Sequence, residues 1–292
     1  MNKFPAPGGY KTVPEDALAV DATMEGETLQ GPEEPCQMPG TFGLEQLKLT
    51  ETAPYEYLRL DRSRMEIRLL TLEPGFGSDV IRCTLKHAFL DVTPTPLYET
   101  TSYVCGPPIF KSTILLHGRE VQTMSTSEAA LRRMRLQDKP RTIWIDSICI
   151  DQNDTDERGH QVGMMYQIYS ETFRNLIYLG LYDDTIADVI VAMEAIMQEI
   201  ARETRDYADF QKLLFHSNDF DRFSKTPLSN PANCPTFLRL VDNPWFSRLW
   251  VVQEVSLALT NVCHYGDFEV SLTDVVRSAR WLHHKCFQMP RC

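Results

Sequence analysis

The sequence lacks the long apolar run that a membrane-spanning helix requires. Its longest apolar stretches, at residues 143–150 and 176–182, fall well short of the roughly 20 residues needed to cross a bilayer, so we expect no membrane span. Basic residues are also scarce, because 29 Lys and Arg stand against 40 Asp and Glu, for a net charge of −11. Such a charge is unfavourable for contacts with a phosphate backbone. We therefore expect no nucleic-acid partner.

Paired cysteine spacings are absent as well. The 8 cysteines show no CxxC pattern, and several lie in apolar strand-like runs, as is typical of reduced, buried thiols in an intracellular protein. We therefore expect a cytoplasmic location. Cysteine and histidine also occur together at residues 263–264 and 283–286, but their spacing fits no usual zinc site. With neither a P-loop nor a GxGxxG pattern present, we predict no metal site and no resident cofactor.

The first 54 residues differ in composition from the rest of the chain. They hold 7 of the 18 prolines and 6 of the 14 glycines, and their 3 Lys against 9 Asp and Glu give a charge of −6. Proline, glycine and acidic residues without hydrophobic periodicity are typical of a mobile arm. The sequence therefore predicts an acidic arm over residues 1–54 and a folded domain over residues 55–292.

From residue 55 onward, apolar strands begin to alternate with helices. Buried strands separated by helices indicate βαβ units, so we predict an α/β domain with a mainly parallel sheet flanked by helices. Two β-hairpins are added before this core, a helical insertion is expected over residues 206–235, and a helical extension closes the domain. The predicted strands are 66–72, 80–86, 97–104, 113–117, 120–124, 142–148, 175–179 and 261–265, and the predicted helices are 125–136, 157–172, 184–204, 244–259 and one from 271.

Two carboxylates stand in apolar surroundings that are unusual for a charged residue. Asp146 interrupts the apolar strand predicted over residues 142–148, at the carboxyl edge of the sheet, where open α/β sheets bind ligands. The second carboxylate is Glu254, whose neighbours one helical turn away are all apolar: Trp250, Val251, Leu257 and Ala258. A buried carboxylate is costly unless it is paired, so Asp146 and Glu254 are either site residues or partners in structural ion pairs.

Three ordered segments resemble the heterokaryon incompatibility (HET) domain of filamentous fungi. Residues 98–106 read YETTSYVCG, residues 144–152 read WIDSICIDQ and residues 247–254 read SRLWVVQE. Their counterparts in the family are similar to YEALSYVWG, WIDAICINQ and SRxWxxQE. The resemblance covers about residues 55–258, with the core motifs at 98–258. It implies a role in self/non-self recognition and cell death when unlike hyphae fuse, triggered by an unidentified incompatibility partner protein.

The first two segments depart from the family pattern at several positions. Cys105 stands where tryptophan is usual, Asp151 where asparagine is usual and Thr101 where leucine is usual. If the usual tryptophan ring lines a pocket, the pocket of this chain is wider or altered.

HET domains are in turn distantly similar to TIR domains, and this second resemblance implies a TIR/flavodoxin-like sheet. Many TIR domains hydrolyse NAD with a glutamate in a WCxxEL helical motif. Residues 250–255, WVVQEV, resemble that motif with Glu254 at the glutamate position. The resemblance implies that Glu254 is catalytic and that NAD is a substrate. One carboxylate is chemically sufficient, because nicotinamide departs as a neutral group and needs no general acid.

Five further residues are candidates for holding that substrate. Tyr103 is a stacking partner for a base or for nicotinamide, and Trp250 is an apolar wall beside the glutamate. Gly106 and Asp146 lie at the predicted carboxyl edge of the sheet. Arg248 is a candidate phosphate ligand, although it lies six residues before Glu254 and so on another helix face; a structural ion pair is the alternative.

A non-enzymatic interpretation stays open beside the enzymatic one. TIR-like domains also self-associate, and death signalling can rest on assembly alone. Residues 244–254 would then form a packing surface, with Glu254 paired to a buried arginine. A regulator that has lost activity is a third interpretation, which the Cys105 substitution favours.

Overall fold

The computed structural model describes residues 55–106, 111–181, 183–204, 230 and 232–286. The predicted arm over residues 1–54 and most of the predicted insertion over residues 206–235 lie outside these ranges, so both stay predictions.

Nine strands of the described chain form one sheet: β1 (Glu66–Leu72), β2 (Arg82–Phe89), β3 (Glu99–Tyr103), β4 (Lys111–Leu116), β5 (Arg119–Met124), β6 (Arg141–Trp144), β7 (Arg174–Gly180), β8 (Asn261–Tyr265) and β9 (Phe268–Ser271). Their order across the sheet is β5-β4-β2-β1-β6-β3-β7-β8-β9. Strands β6, β3, β7 and β8 pair in parallel. These four strands form the core of an α/β domain.

Parallel pairing is less extensive than the sequence predicts. The two predicted hairpins form as β1–β2 and β4–β5, and β9 adds an antiparallel edge beside β8 that was not predicted. Strand β1 also pairs antiparallel with β6, whereas β2 and β4 pair in parallel. The sheet is therefore mixed rather than mainly parallel, because both hairpins join the same sheet as the βαβ core instead of standing apart from it.

Helices cover both faces of the parallel strands. Because side chains alternate along a strand, Leu176 and Tyr178 of β7 join one apolar cluster, whereas Ile177 and Leu179 join another. The helices of the described chain are α1 (Ser125–Met134), α2 (Asp146–Cys149), α3 (Thr155–Gly163), α4 (Met165–Ser170), α5 (Ile186–Glu203), α6 (Asn233–Val241), α7 (Trp250–Leu257) and α8 (Leu272–Cys286), with a 3₁₀ helix at Pro244–Ser247 before α7. The first cluster includes buried residues of α1 and α4, and the second includes residues of α5, α6 and α8.

Two predicted elements break where polar contacts replace regular pairing. The strand predicted over residues 142–148 ends at Trp144, and the short helix α2 begins at Asp146, whose side chain accepts a hydrogen bond from the Ser147 amide at 2.7 Å. The helix predicted over residues 157–172 divides into α3 and α4 around Met164. As a result Val162, which the predicted apolar stripe included, is exposed.

One carboxylate joins the amino ends of three parallel strands. Glu99 begins β3 and is 8% exposed. It accepts hydrogen bonds from Arg141, the first residue of β6, and from Arg174, the first residue of β7. Arg141 also donates to the Met134 carbonyl at the end of α1 at 2.7 Å. These contacts align β6, β3 and β7, so that their carboxyl ends meet at one edge.

Replacing this carboxylate tests the role of the ion-pair cluster. We expect Glu99→Ala to lower the free energy of unfolding by about 3 kcal/mol, because Arg141 would stay buried without a counter-charge. Urea denaturation followed by circular dichroism measures the loss. Glu120→Ala on the exposed face of β5 is the matched control and should change stability by about 0.5 kcal/mol or less. Equal losses in the two variants would contradict this role.

Candidate active site

The carboxyl ends of β3 and β6 place a tyrosine beside an aspartate. The Tyr103 hydroxyl donates to Asp146 Oδ1 at 3.1 Å and lies 3.0 Å from Ser127 Oγ of α1. Ser147 Oγ in turn donates to Ser127 Oγ at 3.0 Å. Tyr103 is buried, whereas Asp146 and Ser147 are half-buried. A continuous polar network therefore starts inside the sheet and reaches the surface at its carboxyl edge.

A buried ion pair holds the Asp146 segment in place. Arg68 on β1 forms two hydrogen bonds to Glu157 of α3, at 2.6 and 2.9 Å, and both side chains are almost fully buried. Arg68 also donates to the Cys149 carbonyl at 3.1 Å, and Glu157 accepts from the Asp151 amide at 2.8 Å. The second of the three sequence segments is thus fixed at its end, which positions Asp146 at its start.

The third segment brings Glu254 to the same edge of the sheet. Glu254 lies on α7 and is 4% exposed. Its carboxylate accepts a hydrogen bond from the Ser102 hydroxyl of β3. Ser102 precedes Tyr103, so adjacent residues of one strand contact the two acidic residues. The hydrogen-bond partner of Glu254 among the described residues is thus a serine, and no ion pair with a buried arginine forms there.

A buried tryptophan is the second hydrogen-bond partner of the Ser102 side chain. Asn243 accepts a hydrogen bond from the Trp245 amide at 3.0 Å and donates to the Leu179 carbonyl of β7 at 2.6 Å, which ties the 3₁₀ helix to the sheet. The buried Trp245 indole then donates to Ser102 Oγ at 2.7 Å. Phe246 packs edge-on against this ring, with 4.9 Å between ring centroids.

The charge of Arg248 acts on both acidic residues, because an interruption of the predicted helix brings the arginine to this edge. Residues 244–259 form a 3₁₀ helix and α7, and Arg248 between them has an extended backbone. Its side chain therefore reaches back to donate to the Tyr103 carbonyl. No other hydrogen bond of the Arg248 guanidinium forms among the described residues. The alternative of a direct ion pair is not seen among the described residues.

Burial and charge act in opposite directions on the two carboxyl groups. Burial raises the pKa of Glu254 above its usual range; the Ser102 hydrogen bond and the Arg248 charge oppose that rise, and the Asp146 charge adds to it. Burial likewise raises the pKa of Asp146, against the hydrogen bonds from Tyr103 and the Ser147 amide and the Arg248 charge. Two acidic groups with raised pKa values beside one arginine are typical of sites that handle charge or protons.

Four of the six residues predicted from sequence lie together, namely Tyr103, Asp146, Arg248 and Glu254. Gly106 follows in the same loop and packs against α1, since an added Cβ would lie 2.9 Å from Thr126 Cγ2. Trp250 differs, because it is 52% exposed and is therefore not an enclosed wall beside Glu254.

Sequence reasoning missed Ser102 and Trp245 as site residues. Ser102 lies in the first of the three segments that resemble the family and Trp245 lies two residues before the third, but neither carries a charge. No spacing rule connects two residues 143 positions apart. The signal available in the sequence was the Asn243-Pro244 pair, which is typical of a helix start and places Trp245 in the first turn.

Other chemistry is not evident near this edge. Within the described ranges, no group of three or more His, Cys, Asp or Glu residues is arranged to hold a metal ion. Over the same ranges, no helix has the length and apolarity to cross a membrane.

A polar cleft of about 670 Å³ lies between residues 59–63 and the start of α3. It contacts the outer side of Glu157 and includes none of the predicted site residues.

The chain is a mixed α/β domain with two acidic residues at the carboxyl edge of its parallel strands, where open α/β sheets bind ligands. The chain belongs to the family described as heterokaryon incompatibility protein (HET), whose model matches residues 98–254. The match begins at the strand of Ser102 and Tyr103 and ends at Glu254. All of the site residues described above therefore lie within the family domain.

The chain is also similar to a curated fungal protein. It is 28% identical over 275 residues to heterokaryon incompatibility protein 6, OR allele, of Neurospora crassa. The alignment covers 82% of this chain and 38% of that relative, so the chain spans well under half of the relative's length. No solved structure matches this chain significantly.

The effect of Glu254 on stability should reveal whether it is structural. We expect Glu254→Gln to raise the free energy of unfolding at pH 7.5 by about 1 kcal/mol, because a neutral side chain avoids the burial of a charge. Urea denaturation at pH 7.5 and 5.0 measures the difference.

The sign of the pH dependence follows from the raised pKa of Glu254. Between the unfolded and the folded pKa, the native wild type binds more protons than its unfolded chain does, so its stability rises as the pH falls. The advantage of the glutamine variant should therefore shrink at pH 5.0. A variant that is several kcal/mol less stable than wild type at pH 7.5 would instead make Glu254 a structural residue.

Close packing at Gly106 generates a second prediction for the site. Because Thr126 is branched at Cβ and its methyl group cannot swing away freely, we expect Gly106→Ala to destabilise the domain by about 1–2 kcal/mol. Thr126→Ser removes the opposing methyl group, so the double variant should regain most of the loss. Thermal denaturation of the single and double variants measures this coupling, and simple additivity of the two changes would argue against the contact.

Proposed function

We propose that this chain acts in fungal incompatibility signalling by hydrolysing NAD, with Glu254 as the catalytic carboxylate. One observation carries the proposal: a buried glutamate, hydrogen-bonded to Ser102, lies at the carboxyl edge of the parallel strands, where the charges of Asp146 and Arg248 act on it. Family membership and the similarity to a heterokaryon incompatibility protein support the biological role. NAD is the substrate in this scheme, and no bound cofactor is required.

The chemistry needs one negative group at the reacting sugar. The bond between ribose C1′ and the nicotinamide nitrogen breaks, and its electron pair leaves with neutral nicotinamide. The oxocarbenium ion that remains is stabilised by the Glu254 carboxylate. Water then adds to C1′ and releases a proton, which gives ADP-ribose. Fixed charges in a water-poor site stabilise such a cation far more than they would in bulk water.

The neighbouring residues suit the rest of the substrate. The N–H groups of Arg248 match the diphosphate in charge and geometry. Asp146 is half-buried and accepts hydrogen bonds, so it suits a sugar hydroxyl. Gly106 is also half-buried in the loop after β3, where the absence of a side chain lets this loop pack closely against α1 at the edge of the site.

A second candidate function, assembly of a signalling complex, rests on a different observation. The outer side of α7 and its ends exposes large apolar side chains: Leu249 at 84%, Trp250 at 52%, Val252 at 65% and Leu259 at 90%. Adjacent exposed apolar residues are typical of association surfaces. Self-association through this surface, or binding of an incompatibility partner protein, would place Glu254 directly behind the interface.

Nicotinamide release from NAD by the purified chain tests the enzymatic proposal. We expect Glu254→Gln to lower the rate at least about 100-fold, because it removes the charge that stabilises the transition state. Glu120→Gln, on exposed β5, is the matched control and should keep the wild-type rate. If the assembly surface also controls activity, the rate should rise more steeply than protein concentration, and Val252→Asp should abolish that steepness.

The alternative outcomes separate the two candidate functions. Absence of nicotinamide release at any wild-type concentration, together with concentration-dependent oligomers that Val252→Asp disrupts, would favour assembly alone. Expression in a filamentous fungus adds the cellular test. Growth arrest by wild type and by Glu254→Gln alike would contradict a catalytic role, whereas loss of arrest in the glutamine variant would support it.

A further inference from the structure

The hydrogen-bond directions around Ser102 are determined by the chemistry of its partners. The Trp245 indole nitrogen carries one hydrogen and can only donate, so Ser102 Oγ must accept from it at 2.7 Å. A serine hydroxyl has a single hydrogen of its own. The second partner of Ser102 Oγ is Glu254 Oε2, and that hydrogen is therefore directed at the carboxylate. Tryptophan, serine and glutamate form a one-way chain of donors that ends on Glu254.

We propose that Ser102 and Trp245 are positioning residues that favour the ionised form of Glu254, with the indole of Trp245 orienting the Ser102 hydroxyl. The inference rests on the proposed function only for its consequence in catalysis. An ionised Glu254 is the form that stabilises a sugar cation, and a protonated one would not.

A protonated Glu254 would accept the Ser102 hydrogen bond less strongly than the carboxylate does. Its acid hydrogen can lie on Oε1, and Oε2, then an uncharged carbonyl oxygen, would still accept from the Ser102 hydroxyl. A hydrogen bond to an ionised acceptor is roughly twice as strong as one between neutral groups. Because Trp245 fixes Ser102 Oγ as its acceptor, the Ser102 hydrogen stays directed at Glu254, and the donor chain favours the carboxylate.

Charged groups around Glu254 also affect its ionisation, and they act in opposite directions. Arg248 favours the ionised form from the segment before α7, whereas Asp146 of α2 disfavours it. Tyr169 of α4 and Cys105 of the β3 loop also feel the Glu254 charge, and burial keeps both of them neutral. With the arginine and the aspartate opposing each other, the Ser102 hydrogen bond is the main counterweight to burial.

Three features fix the orientation of the Trp245 side chain. Its backbone amide is held by Asn243, its ring packs against Phe246, and it is 1% exposed. Because the indole is fixed in this way, it cannot move with the Ser102 hydroxyl if that hydroxyl turns to another rotamer. The donor chain is therefore part of the folded scaffold and does not need substrate to assemble.

Direct titration of Glu254 in the full chain tests the inference without substrate. Protein labelled with ¹³C at glutamate carboxyl carbons gives a resonance for Glu254 that is assigned by its loss in Glu254→Gln. We expect the pKa of Glu254 to rise by about one unit in Ser102→Ala, and by a smaller amount in Trp245→Phe, where the hydroxyl remains but loses its orientation.

Two other buried residues supply matched controls. Trp281→Phe removes a buried indole that donates to Glu203 at 3.1 Å, and Ser278→Ala removes a buried hydroxyl without a hydrogen-bond partner in the described chain. Neither should change the titration of Glu254. An unchanged or lowered pKa in Ser102→Ala would overturn the inference, as would an equal rise in the controls. Should Trp245→Phe fail to fold, Ser102→Ala decides alone, because alanine fits the space of serine.

The pH profile of nicotinamide release separates this inference from the proposed function. If wild type is active, the acid limb of its profile should move to higher pH in Ser102→Ala by the same amount as the titration. If wild type releases no nicotinamide, the enzymatic proposal fails, yet the carboxyl titration still decides whether Ser102 and Trp245 control Glu254.

Discussion

The ion-pair cluster of Glu99 with Arg141 and Arg174 determines where the functional groups of this domain meet. It joins the first residues of three parallel strands, and the carboxyl ends of parallel strands lie at the same edge of a sheet. Tyr103 and the segment that contains Asp146 consequently arrive at one edge. Without this alignment the sheet would still bury its apolar residues, but the distances between the acidic groups at its carboxyl edge would change.

A second set of contacts brings the remaining elements to that edge. Arg68 and Glu157 fix the segment after β6, while Asn243 fixes the 3₁₀ helix before α7. Each is a polar side chain that satisfies backbone groups where regular pairing stops. The three sequence segments of the family therefore meet at one edge: the first contains β3, the second leads from β6 into α2, and the third enters α7. Glu254 enters the site only because the third segment is held so closely.

Stability and function make opposing demands on this site. Two carboxyl groups with raised pKa values share one arginine, and burying them costs free energy that apolar side chains would not cost. The surrounding apolar clusters on both faces of the sheet offset that cost. Such an arrangement is typical of a functional site, where the local optimum for packing is given up for reactive groups.

Local pattern alone determined much of this protein. Apolar runs and helix-start signals predicted most strands and helices, and the apolar neighbours of Asp146 and Glu254 in the sequence were enough to mark both as site candidates. The tertiary structure decided the rest: the mixed sheet, the start of α2 at Asp146, the exposure of Trp250, and the contacts of Ser102 and Trp245 with Glu254. The reason is physical, because hydrophobic periodicity records which side of an element is buried, whereas strand order and hydrogen-bond partners depend on residues far apart in the chain.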